Sequence, residues 1–124
     1  MNWLAIAIGG AVGSLARHAV NLMSATPSTR FPVGTAVVNL VGCLLIGLLA
    51  GLLVGQRIHL SSYWREFIFV GLLGGFTTFS TFGLDTFMLS RTHSPWTAGA
   101  NVLVQVAGGL LAVWAGYQLG VSSR

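Results

Sequence analysis

The sequence predicts an all-α membrane protein with four membrane-spanning helices, because it is far too apolar for a soluble domain of its size. Of its 124 residues, 54% are hydrophobic and only 6% are charged, whereas about a quarter of the residues in a soluble domain are charged. Four apolar stretches are each long enough to cross the ~30 Å hydrocarbon core as a helix. We expect a single four-span domain over 1–124, with spans at about 3–23, 33–55, 63–90 and 96–120.

The first, second and fourth spans have clear beginnings and ends. The first, "WLAIAIGGAVGSLARHAVNLM", follows no basic segment and precedes three further spans, which argues against a cleaved signal peptide. Two prolines separate it from the second span, and the polar segment "QRIHLSS" follows that span. Aromatic residues at the ends of spans are typical of the membrane interface. They are Trp3, Tyr63, Trp64 and Trp96.

The third apolar stretch is too long for one level span, and "GGFTTFSTF" lies near its middle at 74–82. Glycine costs about 1 kcal/mol in a helix relative to alanine, and threonine hydroxyls compete with the helical hydrogen bonds. We therefore predict a break near 74–78 that divides the third span into two half-helices. Irregular backbone at membrane depth is tolerated where it is buried in protein or lines a cavity. The freed carbonyls are suited to a cation such as Na⁺.

After the predicted break, the phenylalanines and the amides favour an anion. Phe79 and Phe82 share one face of the second half-helix, and the positive edges of their rings attract an anion without trapping it. Asn101 and Gln105 share a face of the fourth span, and Asn39 could face them from the second. The alternative for these amides is a purely structural role, in which they form hydrogen bonds between helices.

The acidic residues argue against a proton-coupled exporter of cationic drugs, which needs a carboxylate deep in the membrane. Asp85 is the only acid inside an apolar stretch, and it lies toward the end of the third span. The arginines are scattered, so we expect no nucleic-acid partner. Cys43 stands alone, which excludes an internal disulfide. We find no catalytic constellation and expect no enzyme.

The distribution of the arginines predicts dual topology, because orientation follows the Lys/Arg bias and there is almost none here. With four spans, Arg57, Arg65 and Arg124 fall on one side and Arg17, Arg30 and Arg91 on the other or toward it. Small residues at four-residue spacing on three spans allow close helix packing, either within one copy or against a second. We expect copies that insert both ways and pair as an antiparallel homodimer.

Three stretches resemble the Fluc (CrcB-type) fluoride channels. They are "GGAVGSLARH" at 9–18, "PVGTAVVNLVGCLLIG" at 32–47 and "GGFTTFSTF" at 74–82. The resemblance covers the whole chain. It implies a passive, fluoride-selective channel in the inner membrane of a prokaryotic cell, which reduces fluoride toxicity by letting cytoplasmic fluoride escape. It also implies an antiparallel homodimer with two pores.

The resemblance also implies roles for individual residues. The backbone carbonyls of Gly74 and Thr77 would hold a structural Na⁺ at the dimer centre, and Arg17 would lie near the aqueous vestibule. The fluoride pore would be lined by Phe79, Phe82, Asn39, Thr81, Ser80 and Gln105.

This chain departs from the family pattern on the fourth span. Gln105 and Gly109 take places where the family often has Tyr or His and then Ser, while Asp85 and Gly83 replace a common Glu and a frequent Ser. Gln105 can still donate a hydrogen bond, but Gly109 offers no side chain. A small multidrug exporter of dual topology and a non-transporting membrane assembly subunit remain the alternative functions.

Overall fold

The structure is a computed structural model that describes residues 2–25 and 31–122. Four stretches of it are helical, long and apolar enough to cross a membrane, which confirms the predicted all-α fold and its four spans. The first, second and fourth spans are α1 (Trp3–Ser24), α2 (Val33–Val54) and α5 (Pro95–Ser122), and the third covers Ser62–Thr92. Every end of a span lies within two residues of its predicted position. That residues 1–124 form a single domain stays a prediction.

The third span is broken, as the sequence predicts. Its first half, α3, runs through Ser62–Arg65, a π-helical stretch at Glu66–Leu73 and a last helical turn at Gly74–Phe76. Its second half, α4, is Phe79–Thr92. Between them Thr77 and Thr78 are extended, with ψ angles of 162° and 117°.

The glycine pair at 74–75 does not itself interrupt the helix. Both residues remain helical, and the two threonines form the break. Gly75 instead lets α3 lie directly against α1, since an added Cβ would stand 2.6 Å from the Gly10 carbonyl oxygen. The π-helical stretch was not predicted, because hydrophobic periodicity does not separate a short π-helix from an α-helix.

Two pairs of helices are in backbone contact through glycines. α1 packs on α3, where a Cβ added to Gly13 would lie 2.9 Å from the Phe76 nitrogen. α2 packs on α5, where a Cβ added to Gly116 would lie 2.8 Å from the Leu48 nitrogen. Small residues let spans approach this closely. Of the small residues predicted at four-residue spacing, Gly9 and Gly13 on α1, Gly47 and Gly51 on α2, and Gly116 and Gly120 on α5 make such contacts within one copy.

Candidate functional site

The break in the third span is held by the side chain of Asn39 on α2. Its Oδ1 accepts a hydrogen bond of 2.8 Å from the Thr78 backbone nitrogen, and its Nδ2 donates one of 3.0 Å to the Thr78 carbonyl oxygen. Because Thr78 is extended and is the N-cap of α4, its backbone nitrogen has no helical acceptor, while its carbonyl oxygen begins the hydrogen-bond ladder of α4. Asn39 supplies the acceptor that this buried N–H would otherwise lack, and it adds a second donor to the carbonyl.

Three hydroxyl groups gather where α4 begins. The Thr78 Oγ1 accepts from the Thr81 nitrogen at 3.2 Å and therefore caps the helix. The same Oγ1 donates to the Thr81 Oγ1 at 3.0 Å and lies 3.4 Å from the Ser80 Oγ. The predicted pore residues Ser80 and Thr81 are thus brought together beside the break.

The three amides form one hydrogen-bonded chain. The Asn39 Nδ2 donates to the Gln105 Oε1 at 2.6 Å, and the Gln105 Nε2 donates to the Asn101 Oδ1 at 2.9 Å. This confirms that Asn101 and Gln105 share a face and that Asn39 faces them. The chain continues from the Asn101 Nδ2 to the Thr86 Oγ1 at 2.9 Å, and from that hydroxyl to the Phe82 carbonyl oxygen at 2.7 Å.

The rings of Phe79 and Phe82 lie side by side, with their centroids 5.4 Å apart. Phe82 is buried, but 82% of Phe79 is exposed. Both rings line an open groove of about 330 Å³ between α2, α5 and the break. The polar side chains of this groove belong to Asn39, Thr77, Thr78 and Gln105. No carboxylate lines it in the part of the chain that the structure describes.

Arg17 reaches the break from α1. Its Nη1 donates a hydrogen bond of 3.2 Å to the Thr77 carbonyl oxygen. In a continued helix the Thr78 nitrogen would bond to the Gly74 carbonyl, but here it donates to Asn39. The break therefore frees the Gly74 carbonyl from its usual donor, while the Thr77 carbonyl already accepts from a guanidinium.

The carbonyl oxygens of Gly74 and Thr77 determine whether the break suits Na⁺ as a ligand. Backbone carbonyl oxygens suit a hard cation, and a carbonyl oxygen has two lone pairs. The Gly74 carbonyl fits the ion, as does the second lone pair of the Thr77 oxygen. The positive charge of Arg17 at the same oxygen opposes a second cation.

Asp85 lies apart from the groove and is held by a residue that the sequence reasoning did not single out. The Thr35 Oγ1 donates to the Asp85 Oδ2 at 2.8 Å. Both side chains line a polar cavity of about 220 Å³, together with Asn21 and Ser24 near the end of α1. Thr86, the acceptor for Asn101, was also missed. Each is a threonine whose partner lies on another span, so local sequence spacing carries no signal for it.

Gly109 is buried in the position that the resemblance associates with a serine. A Cβ added there would lie 3.3 Å from the Cys43 Sγ. A side chain at 109 would have to displace this sulfur, because 3.3 Å is tighter than an ordinary contact. Cys43 thus occupies space next to the missing hydroxyl, and the polar line on α5 ends at Gln105.

Known proteins resemble this chain over nearly its whole length. The family model described as "CrcB-like protein, Camphor Resistance (CrcB)" matches residues 4–117. A protein named "Fluoride-specific ion channel FluC" from Desulfotalea psychrophila is 44% identical over 117 residues, which cover 94% of this chain and 90% of that protein.

Two further relatives bear the same name. The one from Solibacter usitatus is 45% identical over 117 residues, covering 94% of this chain and 95% of its own. The one from Paracoccus denitrificans is 46% identical over 118 residues, covering 95% and 93%. Since the family model spans nearly the whole chain and these relatives match almost end to end, the chain belongs to the CrcB-like family.

Proposed function

We propose that this protein is a fluoride-selective channel that lets cytoplasmic fluoride leave the cell passively and so reduces fluoride toxicity. The observation that carries the proposal is the groove beside the break. It combines two phenylalanine rings, hydroxyls and amide groups with no carboxylate among its described lining residues. The relatives named as fluoride-specific channels support the same function.

The groove offers a small anion several weak attractions in place of one strong charge. Ring edges carry partial positive charge, and N–H and O–H groups replace part of the ion's hydration shell. We assign these contacts to Phe79, Phe82 and Gln105, which line the groove together with Asn39, and to Ser80 and Thr81, whose hydroxyls lie beside it at the Thr78 cap. Conduction requires binding that is weak enough for the ion to leave. Neither catalysis nor coupling to an energy source is needed.

We further propose that two copies pair in antiparallel orientation and complete the pathway together. The groove is open on one side, and the Phe79 ring at its edge is 82% exposed. A second copy would cover this ring and close the groove. The balance of arginines between the two sides supports opposite insertion. Of those arginines, Arg30 and Arg124 lie outside the described residues.

Na⁺ is proposed as the structural ion of this dimer. The carbonyls of Gly74 and Thr77 would hold it where the breaks of two copies meet, and Arg17 would remain beside the Thr77 carbonyl. Bound there, the ion would supply positive charge that holds four carbonyl dipoles together. The break itself is maintained by Asn39 and by the Thr78 cap.

Ion efflux from liposomes tests the function. Vesicles that contain the purified protein and either fluoride or chloride are diluted into medium without that ion, and an ion-selective electrode records the efflux. We expect rapid fluoride efflux and little chloride efflux. Equal efflux of both ions, or no fluoride efflux, would contradict the channel. Proton-driven uptake of a cationic dye instead would favour the multidrug exporter, and no transport would favour an assembly subunit.

Variants that insert into the membrane in a single orientation test the antiparallel dimer. Three lysines inserted in the loop after α2 bias all copies one way, and the mirror variant carries them in the loop after α4. We expect either variant alone to lose most fluoride efflux and co-expression of the two to restore it. Full efflux from one locked variant alone would overturn the antiparallel dimer.

A further inference from the structure

We propose that Thr86 and Asn101 are positioning residues that hold the Phe82 ring in the groove, because their hydrogen bond fixes the rotation of α4 about its own axis. Neither of the two residues lines the groove, so they act through the ring and touch no ion. This inference rests on the proposed fluoride channel and names residues that orient one of its rings. It follows from the small buried surface of α4 and from the hydrogen bonds near its middle.

Apolar packing alone holds α4 weakly. Among its 14 residues, all of which the structure describes, two are buried, Phe82 and Leu89. Its other large apolar side chains are exposed, namely Phe79, Leu84, Phe87 and Met88. Lipid chains are as apolar as these side chains, so their exposure favours no single rotation of the helix. The rotation of α4 in one copy therefore depends on specific polar contacts.

Two consecutive residues of α4 make such contacts with two different spans. The Asp85 Oδ2 accepts a hydrogen bond of 2.8 Å from Thr35 on α2, and the Thr86 Oγ1 accepts one of 2.9 Å from the Asn101 Nδ2 on α5. Consecutive residues of an α-helix point about 100° apart, so the two bonds reach α4 from different directions. A helix held from two directions cannot turn about its axis without breaking one of these bonds.

The bond at Thr86 is joined directly to the residue that carries the ring. The Thr86 Oγ1 donates to the Phe82 carbonyl oxygen at 2.7 Å while it accepts from Asn101. A hydroxyl has one hydrogen and two lone pairs, so both bonds form at once. Thr86 and Phe82 are four residues apart and lie on the same face of α4. One oxygen atom thus links the fourth span to the backbone of Phe82.

The environment of Asn101 fixes the direction of its amide. Asn101 is completely buried, at 0% exposure, and a buried amide in a membrane span is costly unless it is hydrogen-bonded. Its Oδ1 already accepts a hydrogen bond of 2.9 Å from the Gln105 Nε2. The Nδ2 must therefore point away from Gln105, and it points at Thr86 on α4.

The first test removes the Thr86 hydroxyl without changing the size of the side chain. We expect Thr86→Val to lower fluoride efflux from liposomes by between about threefold and about tenfold, as for the loss of one hydrogen bond between spans. Thr86→Ser keeps the hydroxyl and should stay within about twofold of the unsubstituted protein. Efflux by Thr86→Val within the same twofold, or a loss in Thr86→Ser as large as in Thr86→Val, would overturn the proposal.

Thr92→Val is the matched control on the same helix. The Thr92 hydroxyl also donates to the carbonyl four residues earlier, that of Met88, at 2.8 Å. Within the described residues, its other hydrogen-bond partner is the adjacent His93 and not another span. We expect Thr92→Val to stay within about twofold of the unsubstituted protein. A loss equal to that of Thr86→Val would show that the bond within the helix matters and the bond to Asn101 does not.

A double-mutant cycle with Phe82→Ile separates positioning of the ring from a general structural role. If Thr86 acts through the ring, adding Thr86→Val to Phe82→Ile should change efflux by less than about twofold, because no ring remains to be oriented. Losses that multiply in the double variant would show that Thr86 acts independently of Phe82 and would overturn its positioning role. If Thr86→Val does not assemble, Thr86→Ala takes its place in the cycle, since it adds no bulk.

Fluorine NMR measures the ring directly and does not depend on conduction. With para-fluorophenylalanine in place of Phe82, we expect one narrow resonance from the otherwise unsubstituted protein and from Thr92→Val. Thr86→Val and Asn101→Leu should each shift or broaden it. An unchanged resonance in both variants would overturn the proposal, even where efflux is too slow to compare. An unsubstituted protein that conducts no fluoride would overturn the proposed function, whereas the resonances would still decide whether Thr86 and Asn101 hold the ring.

Discussion

Asn39 and the backbone of Thr78 exchange two hydrogen bonds, 2.8 Å and 3.0 Å long, across the gap between α2 and the broken third span. One side chain thereby binds both backbone polar groups of the residue at the break, and it is the partner of the N–H that no helix supplies. This makes Asn39 a structural support of the break, and its third hydrogen bond, to Gln105, joins that support to the groove.

Removing Asn39 should destabilise the protein more than it alters selectivity. Asn39→Leu leaves the Thr78 N–H without a partner in apolar surroundings, at about 1–3 kcal/mol, and removes one of the two donors to the Thr78 carbonyl. We expect a clearly lower midpoint of unfolding in detergent, followed by tryptophan fluorescence. Asn39→Asp keeps the acceptor for the Thr78 nitrogen and should fall between Asn39→Leu and the unsubstituted protein. Val41→Leu, at an exposed position of α2, is the control. Equal stability of all three variants would contradict this role.

The glycine contacts between α2 and α5 should tolerate no side chain. Gly116→Ala forces a Cβ to within 2.8 Å of the Leu48 nitrogen, so the helices must separate. Overpacking of this kind costs about 1–3 kcal/mol. Gly99→Ala on the same helix meets nothing within 4 Å and should be neutral or stabilising by up to about 1 kcal/mol. Thermal unfolding of both variants measures the difference, and equal stabilities would show that α2 and α5 are not in backbone contact.

The phenylalanine pair should affect conduction more than assembly. Phe82→Ile keeps most of the buried volume but removes the ring edge. We expect fluoride efflux to fall at least about tenfold, while cross-linking and size-exclusion chromatography still show the proposed dimer. Phe79→Ile should behave alike, and Phe87→Ile, an exposed ring further along α4, serves as the control. Loss of the dimer with Phe82→Ile would instead indicate that this ring only fills space.

Sequence reasoning reached the four spans and the break because both rest on local features, namely hydrophobic length and poor helix formers. It also placed Asn101 and Gln105 on one face through helical spacing, and it named Asn39 as a residue that could face them from the second span. The bonds from Thr35 to Asp85 and from Arg17 to the break join different spans. They depend on the relative rotation of the helices, which composition and periodicity do not specify. The glycine pair was misjudged in part, since Gly74 and Gly75 are both helical and Gly75 packs closely on α1.

Arg17 should weaken the binding of the Na⁺ that is proposed for the dimer. Its guanidinium donates to the Thr77 carbonyl at 3.2 Å, so a cation at that oxygen experiences a like charge. Arg17→Met removes the charge and leaves both lone pairs of the oxygen free. We expect the Na⁺ concentration that half-stabilises the dimer against thermal dissociation to fall about tenfold, corresponding to about 1.4 kcal/mol. Arg17→Lys keeps the charge and should change this Na⁺ concentration little. The comparison distinguishes the repulsion between two charges from an effect of side-chain packing. A higher Na⁺ requirement in Arg17→Met would mean that the arginine helps to build the cation site by orienting the Thr77 carbonyl.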